Sequence, residues 1–161
     1  MKKILIFLVV FCLSPLAQAA QVTGLWQTVF DSGKPKSIIR VYENDGIIYG
    51  KVLLLYKKDG TPDIVIDGQG NPVCNEAVRA KNMPGSPPLC GLVLLKGFRP
   101  NNRGIYAGGT VTNPENNRSY RAEMWVADNG DLILRGRWGI FSRKQIAHPF
   151  TAEQLAELFS L

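Results

Sequence analysis

The 161-residue chain has the length of one domain and carries a formal charge of +6, from 19 Lys and Arg against 13 Asp and Glu. A chain of this size can build a single hydrophobic core. Its basic residues are dispersed and do not form a stripe with interleaved aromatics, so we predict no nucleic-acid partner.

The first residues have the pattern of an export signal. Lys2 and Lys3 precede an apolar run over residues 4–13, and Ala-Gln-Ala at 17–19 follows as a small-residue cleavage site. The apolar run is too short to span a bilayer comfortably, which makes a retained membrane anchor the weaker alternative. We therefore predict a signal peptide over residues 1–19 and an exported chain that does not span a membrane.

The cysteines also fit an exported chain. Cleavage removes Cys12 and leaves Cys74 and Cys90, and two cysteines in an oxidising compartment favour one disulfide. A metal site is the weaker alternative, because the single histidine, His148, lies far along the chain. We predict no metal and no cofactor, and we assign no oligomeric state.

Eight β-like segments follow one another with turn residues between most of them. They cover residues 24–30, 36–43, 47–56, 91–98, 104–112, 119–127, 131–138 and 140–147. No helical pattern separates them, which favours an antiparallel meander. Glycines interrupt several segments, and glycine within a strand usually marks a bulge or a bend at a barrel corner. We predict an all-β, eight-stranded antiparallel barrel in a single domain over residues 20–161, with a flat sandwich as the alternative.

Two segments depart from this strand pattern. Residues 57–90 are rich in proline and glycine and are much longer than an ordinary hairpin connection, with one or two helical turns expected at 75–81. Near the other end, Thr151 and Gln154 fit the capping box of a helix over residues 151–160. The apolar stripe of that helix should pack on the barrel wall.

Alternation along the strands separates inward from outward side chains. In the segment 119–127, Tyr120 and Met124 share an apolar face, whereas Arg121 and Glu123 share the polar one. Seven further apolar residues are candidates for the interior: Ile48, Val52, Leu54, Leu92, Leu94, Leu132 and Leu134. The interior of a small barrel is either filled by side chains or holds one small ligand, and both alternatives stay open here.

Six side chains are candidates for contact with an apolar or amphipathic ligand. They are Lys36, Arg40 and Tyr42 on the second segment, where they would meet an acidic headgroup, and the inward-facing Tyr120, Met124 and Leu134. A solvated basic face would look the same. An envelope protein-interaction module with a filled core, using the proline-rich loop as its contact, is the alternative function. Catalysis is disfavoured because His148 follows the last strand and no Gly-x-Ser-x-Gly is present, so we predict no enzyme activity.

A glycine, one residue and a tryptophan open the first strand, as Gly24-Leu25-Trp26. This resembles the first strand of lipocalin and calycin barrels, in which the tryptophan closes the bottom of the barrel and packs against an arginine from the last strand. The resemblance implies that Gly24, Trp26 and Arg143 form the closure, with the guanidinium over the indole ring.

The order of motifs along the chain resembles a bacterial secreted family called domain of unknown function 2147. The motifs are GLWQT, GKPKSIIRVYE, GIIYGKV, YAGGTVTNPENNRSY and LILRGRWGIFSRKQ. The resemblance implies a lipocalin-like barrel in the periplasm or outside a bacterial cell, and little about chemistry. The chain departs from the family pattern in its long loop, where Cys74 and Cys90 are well separated instead of close together.

Our first prediction concerns processing and redox state. The mature protein should begin at Ala20, after the Ala-Gln-Ala site, and should carry no free thiol. Intact-mass measurement with and without a thiol-blocking reagent tests both parts. Uptake of two blocking groups without prior reduction would contradict the disulfide, and a mass that includes the leader would contradict cleavage.

Overall fold

The computed structural model describes residues 21–160, and the predicted signal peptide lies outside the described residues. Ten strands and one helix follow in chain order: β1 (Gly24–Val29), β2 (Pro35–Asn44), β3 (Ile47–Leu55), β4 (Ile64–Ile66), β5 (Pro72–Cys74), β6 (Val93–Pro100), β7 (Tyr106–Asn113), β8 (Arg118–Val126), β9 (Leu132–Trp138), β10 (Phe141–Phe150) and α1 (Ala152–Leu158). Among residues 21–160, no helix is both long enough and apolar enough to cross a bilayer.

Eight of the strands close into one antiparallel barrel. The order around the barrel is β1–β10–β9–β8–β7–β6–β3–β2, and β2 pairs again with β1. The ring is closed by β1 and β10, where Leu25 lies opposite Phe150 and Thr28 lies opposite Ala147. The predicted eight-stranded barrel is confirmed, and the sandwich alternative is wrong because this sheet has no unpaired edge.

The connection between β3 and β6, residues 56–92, contains a small hairpin of its own. There β4 and β5 pair antiparallel, with Ile64 opposite Cys74. The disulfide between Cys74 and Cys90 is confirmed, and it joins this hairpin to the end of the connection. The expected helical turns at 75–81 are wrong, since that stretch consists of turns and one isolated bridge.

The helix at the chain end is confirmed. Thr151 caps α1, its side chain accepts a hydrogen bond from the Gln154 backbone N–H, and the Gln154 side chain accepts one from the Thr151 N–H. This reciprocal pair is the capping box that the sequence predicts. Leu155, Leu158 and Phe159 are half-buried on the helix.

The barrel interior contains a contiguous apolar cluster, and two glycines make room for it. The cluster consists of Val22, Trp26, Val41, Ile48, Leu95, Phe98, Ala122, Met124, Leu132 and Ala147. A Cβ at Gly109 of β7 would lie 2.4 Å from the Phe98 ring, and one at Gly50 of β3 would lie 2.6 Å from Leu95. Glycine at these positions therefore admits large side chains from β6 and does more than permit a bend.

Two of the residues expected in the interior lie elsewhere. In β6 the buried residues are Leu95 and Phe98, so the expectation for Leu94 is wrong by one position in register. Trp26 points inward and lies opposite Ile39, which places Ile38 and its partner Leu54 on the outer face. Ile38 and Leu54 are nevertheless fully buried, next to the point where the connection of residues 56–92 leaves the barrel wall.

The close packing of Phe98 on Gly109 generates a prediction. Gly109→Ala should lower the free energy of unfolding by about 1–3 kcal/mol, because the new methyl group overlaps the ring and the ring must move. Replacing Phe98 by Leu in the same chain should recover part of that loss. Urea titrations of the single and double variants measure both effects.

Gly136→Ala is the matched control for this test. Gly136 is also an inward strand glycine, but a Cβ there would meet its nearest atom, Val111 Cγ1, at the ordinary contact distance of 3.7 Å. Its effect should be neutral or stabilising by up to about 1 kcal/mol. Equal losses for both alanine variants would contradict the packing argument.

Candidate functional site

Trp26 lies at one end of the barrel core, with only 6% of its surface exposed. Its Nε1 donates a hydrogen bond to the Val22 carbonyl oxygen at 2.8 Å, so the buried indole N–H has its partner. The chain before β1 thus folds back beneath the ring. Gly24 has φ +141°, which a residue with a side chain rarely adopts, and this explains the glycine two positions before the tryptophan.

The structure does not bring Arg143 to Trp26, and the predicted contact is wrong. Trp26 lies opposite Pro149 of β10, whereas Arg143 is six residues earlier in the same strand, about 20 Å away at the rise of a β-strand. The Arg143 side chain is 65% exposed, and its Nη2 lies 3.8 Å from Oδ1 of Asp31. Arg143 therefore belongs to the opposite end of the barrel.

That opposite end is called the mouth here. It is bordered by the turns at residues 30–34, 114–117 and 139–140 and by the connection at 56–92. The connection contacts the β7–β8 turn, where the Asn82 side-chain amide donates a hydrogen bond to the carbonyl of Glu115. The mouth therefore has a rim that is tied together on the side of the disulfide.

Inward positions near the mouth differ from those near Trp26. The residues that we call the upper interior are small or only half-buried: Thr28, Ser37, Val111, Tyr120, Ala122, Leu134 and Gly136. The hydroxyl oxygens of Thr28 and Ser37 lie 2.7 Å apart, and the Tyr120 hydroxyl accepts a hydrogen bond from Asn116 Nδ2 at 3.4 Å. An apolar wall with a few hydroxyl groups therefore lies above the packed core.

The six candidate ligand contacts fall on two faces of the wall. Met124 is fully buried and lies opposite Leu134, at the lower limit of the upper interior, and Tyr120 lies nearer the mouth on the same strand. Since Ile39 faces inward, Lys36, Arg40 and Tyr42 face outward. The structure thus brings the three inward candidates together and leaves the three on β2 outside.

Two of the outward candidates border a separate groove. Arg40 and Tyr42 line an open concavity of about 580 Å³ between β1–β3 and α1, together with Leu25, Leu53 and Leu155. Lys36 is not part of it; its Nζ lies 5.8 Å from the centre of the Phe30 ring. The groove combines an apolar floor with the guanidinium of Arg40 and the carboxylate of Glu43, but it is outside the barrel.

The outer face of β8 and β9 carries a charged cluster that the sequence analysis does not predict. Glu123 accepts hydrogen bonds from Arg135, whose Nε lies 2.7 Å from Oε1, and from Arg137 at 3.3 Å. The hydrogen bond from Arg135 is the main reason that the pKa of Glu123 falls below its usual range. Charged residues at alternate positions of two neighbouring strands are the sequence pattern that could have indicated this cluster.

His148 also has a carboxylate partner. Its Nδ1 lies 2.8 Å from Oδ1 of Asp131, and this hydrogen bond is the main cause of the lowered pKa of Asp131. The two residues join the start of β9 to the end of β10, with Gln27 of β1 opposite His148. The pair braces the closing strands on the outer face of the barrel.

The positions of Trp26 and Arg143 generate a stability prediction. Trp26→Ala should cost about 3–5 kcal/mol as a large-to-small change in the core. Arg143→Ala should change the free energy of unfolding by less than about 0.5 kcal/mol, since its pair with Asp31 is exposed. In urea titrations the double variant should equal the sum of the two within about 0.5 kcal/mol. A larger deviation would show that the two side chains are coupled after all.

Comparison with known proteins supports this fold. A solved structure, described as protein HP1028 from the human pathogen Helicobacter pylori that belongs to the lipocalin family, superposes with a TM-score of 0.63. The two chains are 20% identical, and the match covers 86% of this chain and 88% of that one. The similarity shows a lipocalin-like fold.

Sequence comparison gives the family. The search of curated proteins found no match. A family profile described as "Uncharacterized protein conserved in bacteria (DUF2147)" matches residues 24–148, which include all of β1 to β9 and most of β10. The chain therefore belongs to the DUF2147 family of bacterial proteins, as its motifs indicate.

Proposed function

We propose that the protein is an exported, non-catalytic binding protein that holds one small apolar or amphipathic molecule in the upper interior of its barrel. The observation that carries the proposal is the change in side-chain size along the barrel axis. Large, fully buried side chains such as Phe98 and Met124 fill the end near Trp26, whereas the inward positions near the mouth carry small residues such as Ser37 and Gly136 and half-buried ones such as Tyr120.

The larger side chains near the mouth add to this argument. Val111, Tyr120 and Leu134 point inward and are only partly buried, so some apolar surface faces the open end of the barrel. Removing such surface from water is favourable by about 25 cal/mol per Å², and an apolar ligand would do this. Eight-stranded barrels of this size hold one small ligand when their interiors are not filled.

An amphipathic ligand with an acidic group is favoured by the rim. Arg143 lies opposite Gly136, at an inward register position on the mouth, and its guanidinium is exposed. In the proposed complex Arg143 would contact the headgroup while the apolar part of the ligand lies against Leu134. Arg40 and Tyr42 would meet a headgroup only in the outer groove beside α1, and Lys36 lies outside that groove, which makes these three residues the weaker choice.

The alternative function is a protein-interaction or structural module of the cell envelope with a filled barrel. The observation in its favour is that half of the barrel is already packed, with Phe98, Met124 and Leu132 almost fully buried. The disulfide-braced connection at 56–92 would then be the contact surface. Native mass spectrometry of protein purified from its own envelope separates the two functions, because only the first predicts a co-purified small molecule.

A variant that fills the upper interior provides a direct test. Gly136→Phe should project a ring toward Val111 and Tyr120 and weaken binding of the fluorescent anion anilinonaphthalene sulfonate by about tenfold or more. Ser119→Phe, which adds the same ring on the outer face of β8, is the matched control and should leave the affinity unchanged. Cooperative urea unfolding confirms that both variants are folded. Equal affinities in the wild-type and Gly136→Phe proteins would refute the proposed site.

A further inference from the structure

The turn between β9 and β10 carries two largely exposed apolar side chains. Phe141 pairs with Trp138 along the backbone, which leaves Gly139 and Ile140 as a two-residue turn. Ile140 is 95% exposed and Phe141 is 61% exposed, and we call these two residues the apolar tip. The apolar tip lies at the mouth, at the opposite end of β10 from Trp26's partner Pro149.

Folding gives no reason for isoleucine at this position. Two-residue hairpin turns favour Gly, Asn or Asp, and Gly139 already supplies the positive φ, at +57°. A β-branched side chain that is almost wholly exposed buries nothing within the barrel. Exposed apolar residues that lie next to each other are a feature of contact surfaces, and here the charges around them have to be considered as well.

Basic residues lie along the strands that lead to the apolar tip. Within β9 and β10 the cations are Arg135, Arg137, Arg143 and Lys144, and Arg121 of β8 lies opposite Arg137. Two carboxylates lie among them, Glu123 against Arg135 and Arg137, and Asp31 near Arg143. The Arg137 and Arg143 side chains remain more than half exposed in spite of these pairs. The surface next to the apolar tip is therefore positively charged.

We propose that the apolar tip docks the mouth of the barrel onto a bilayer that contains acidic phospholipids. Ile140 and Phe141 would enter the boundary between headgroups and acyl chains, and the surrounding guanidinium and ammonium groups would contact the lipid phosphates. An apolar projection flanked by cations matches both layers of such an interface. The long side chains of Arg143 and Lys144 can reach the phosphates while the turn is immersed.

The shape of the apolar tip favours a bilayer over a protein partner. Stable protein interfaces bury about 800 Å² on each partner, with a fully desolvated centre. Two residues on a narrow convex turn fall well short of that, whereas a fluid interface accommodates a small projection. The proposal rests on the exposed turn and its charges, and it does not require that the barrel carries a ligand.

Vesicle sedimentation tests the proposal on the exported protein, after its intact mass has been established. The protein should sediment with vesicles of phosphatidylglycerol and stay in solution with vesicles of phosphatidylcholine. Added salt should weaken the binding, because it screens the attraction between the cations and the phosphates. Failure to sediment with phosphatidylglycerol at low salt would overturn the proposal.

Substitution of one residue separates the apolar tip from other exposed apolar groups. Ile140→Ser should weaken binding to phosphatidylglycerol vesicles by about tenfold or more, since the inserted side chain is lost. Ile66→Ser is the matched control, because Ile66 is also an exposed isoleucine on a hairpin, 66% exposed, and its change should have no effect. Equal losses for both variants, or no loss for Ile140→Ser, would overturn the assignment to this turn.

A charge-matched pair of double variants tests the basic surface. Arg143→Gln with Lys144→Gln should weaken binding by roughly fivefold for each cation removed. Lys57→Gln with Lys58→Gln removes the same charge at exposed positions in the connection and should have a much smaller effect. Size-exclusion chromatography completes the test. Concentration-dependent dimers that Ile140→Ser abolishes, without vesicle binding, would assign the apolar tip to self-association and overturn the proposal.

Discussion

The pairing of β1 with β10 is the constraint on which the rest of the structure depends. It joins the first strand to the last and turns a row of seven hairpin-like pairs into a closed wall. Closure satisfies the backbone groups of both edge strands and fixes the enclosed width, so the inward side chains must fit a volume of set size. Gly50 and Gly109 are a consequence of this limit, because a side chain at either position would overlap a large side chain of β6.

The enclosed volume is divided along the axis by residue size. Trp26, which is hydrogen-bonded to Val22, and Phe98, which packs on Gly109, fill one end of the barrel. The other end carries small and half-exposed residues beneath a rim of turns. One end is thus a packed core that stabilises the domain, and the other end, with its loops on a rigid wall, is the part that the proposed function uses.

Much of this architecture could be predicted because alternation is clear where one face is wet. Strand β8 is such a case, with Met124 buried and Glu123 turned outward in an ion pair. Alternation fails where both faces are covered: β6 is apolar at three consecutive positions, so Leu94 and Leu95 could not be told apart. The register between paired strands cannot be read from the sequence either. The lipocalin resemblance therefore implies a contact of Arg143 with Trp26 that the register of β1 and β10 does not allow.

The disulfide between Cys74 and Cys90 has a kinetic consequence for the mouth. The disulfide restrains the connection on one side of the rim, and the Asn82 hydrogen bond holds that connection to the β7–β8 turn. Neither the disulfide nor this hydrogen bond involves the β9–β10 turn on the other side. The two sides of the entrance therefore differ in the barrier to opening. If the barrel holds the proposed ligand, the ligand would enter and leave past the β9–β10 turn, and the motion of that turn would set how long it stays bound.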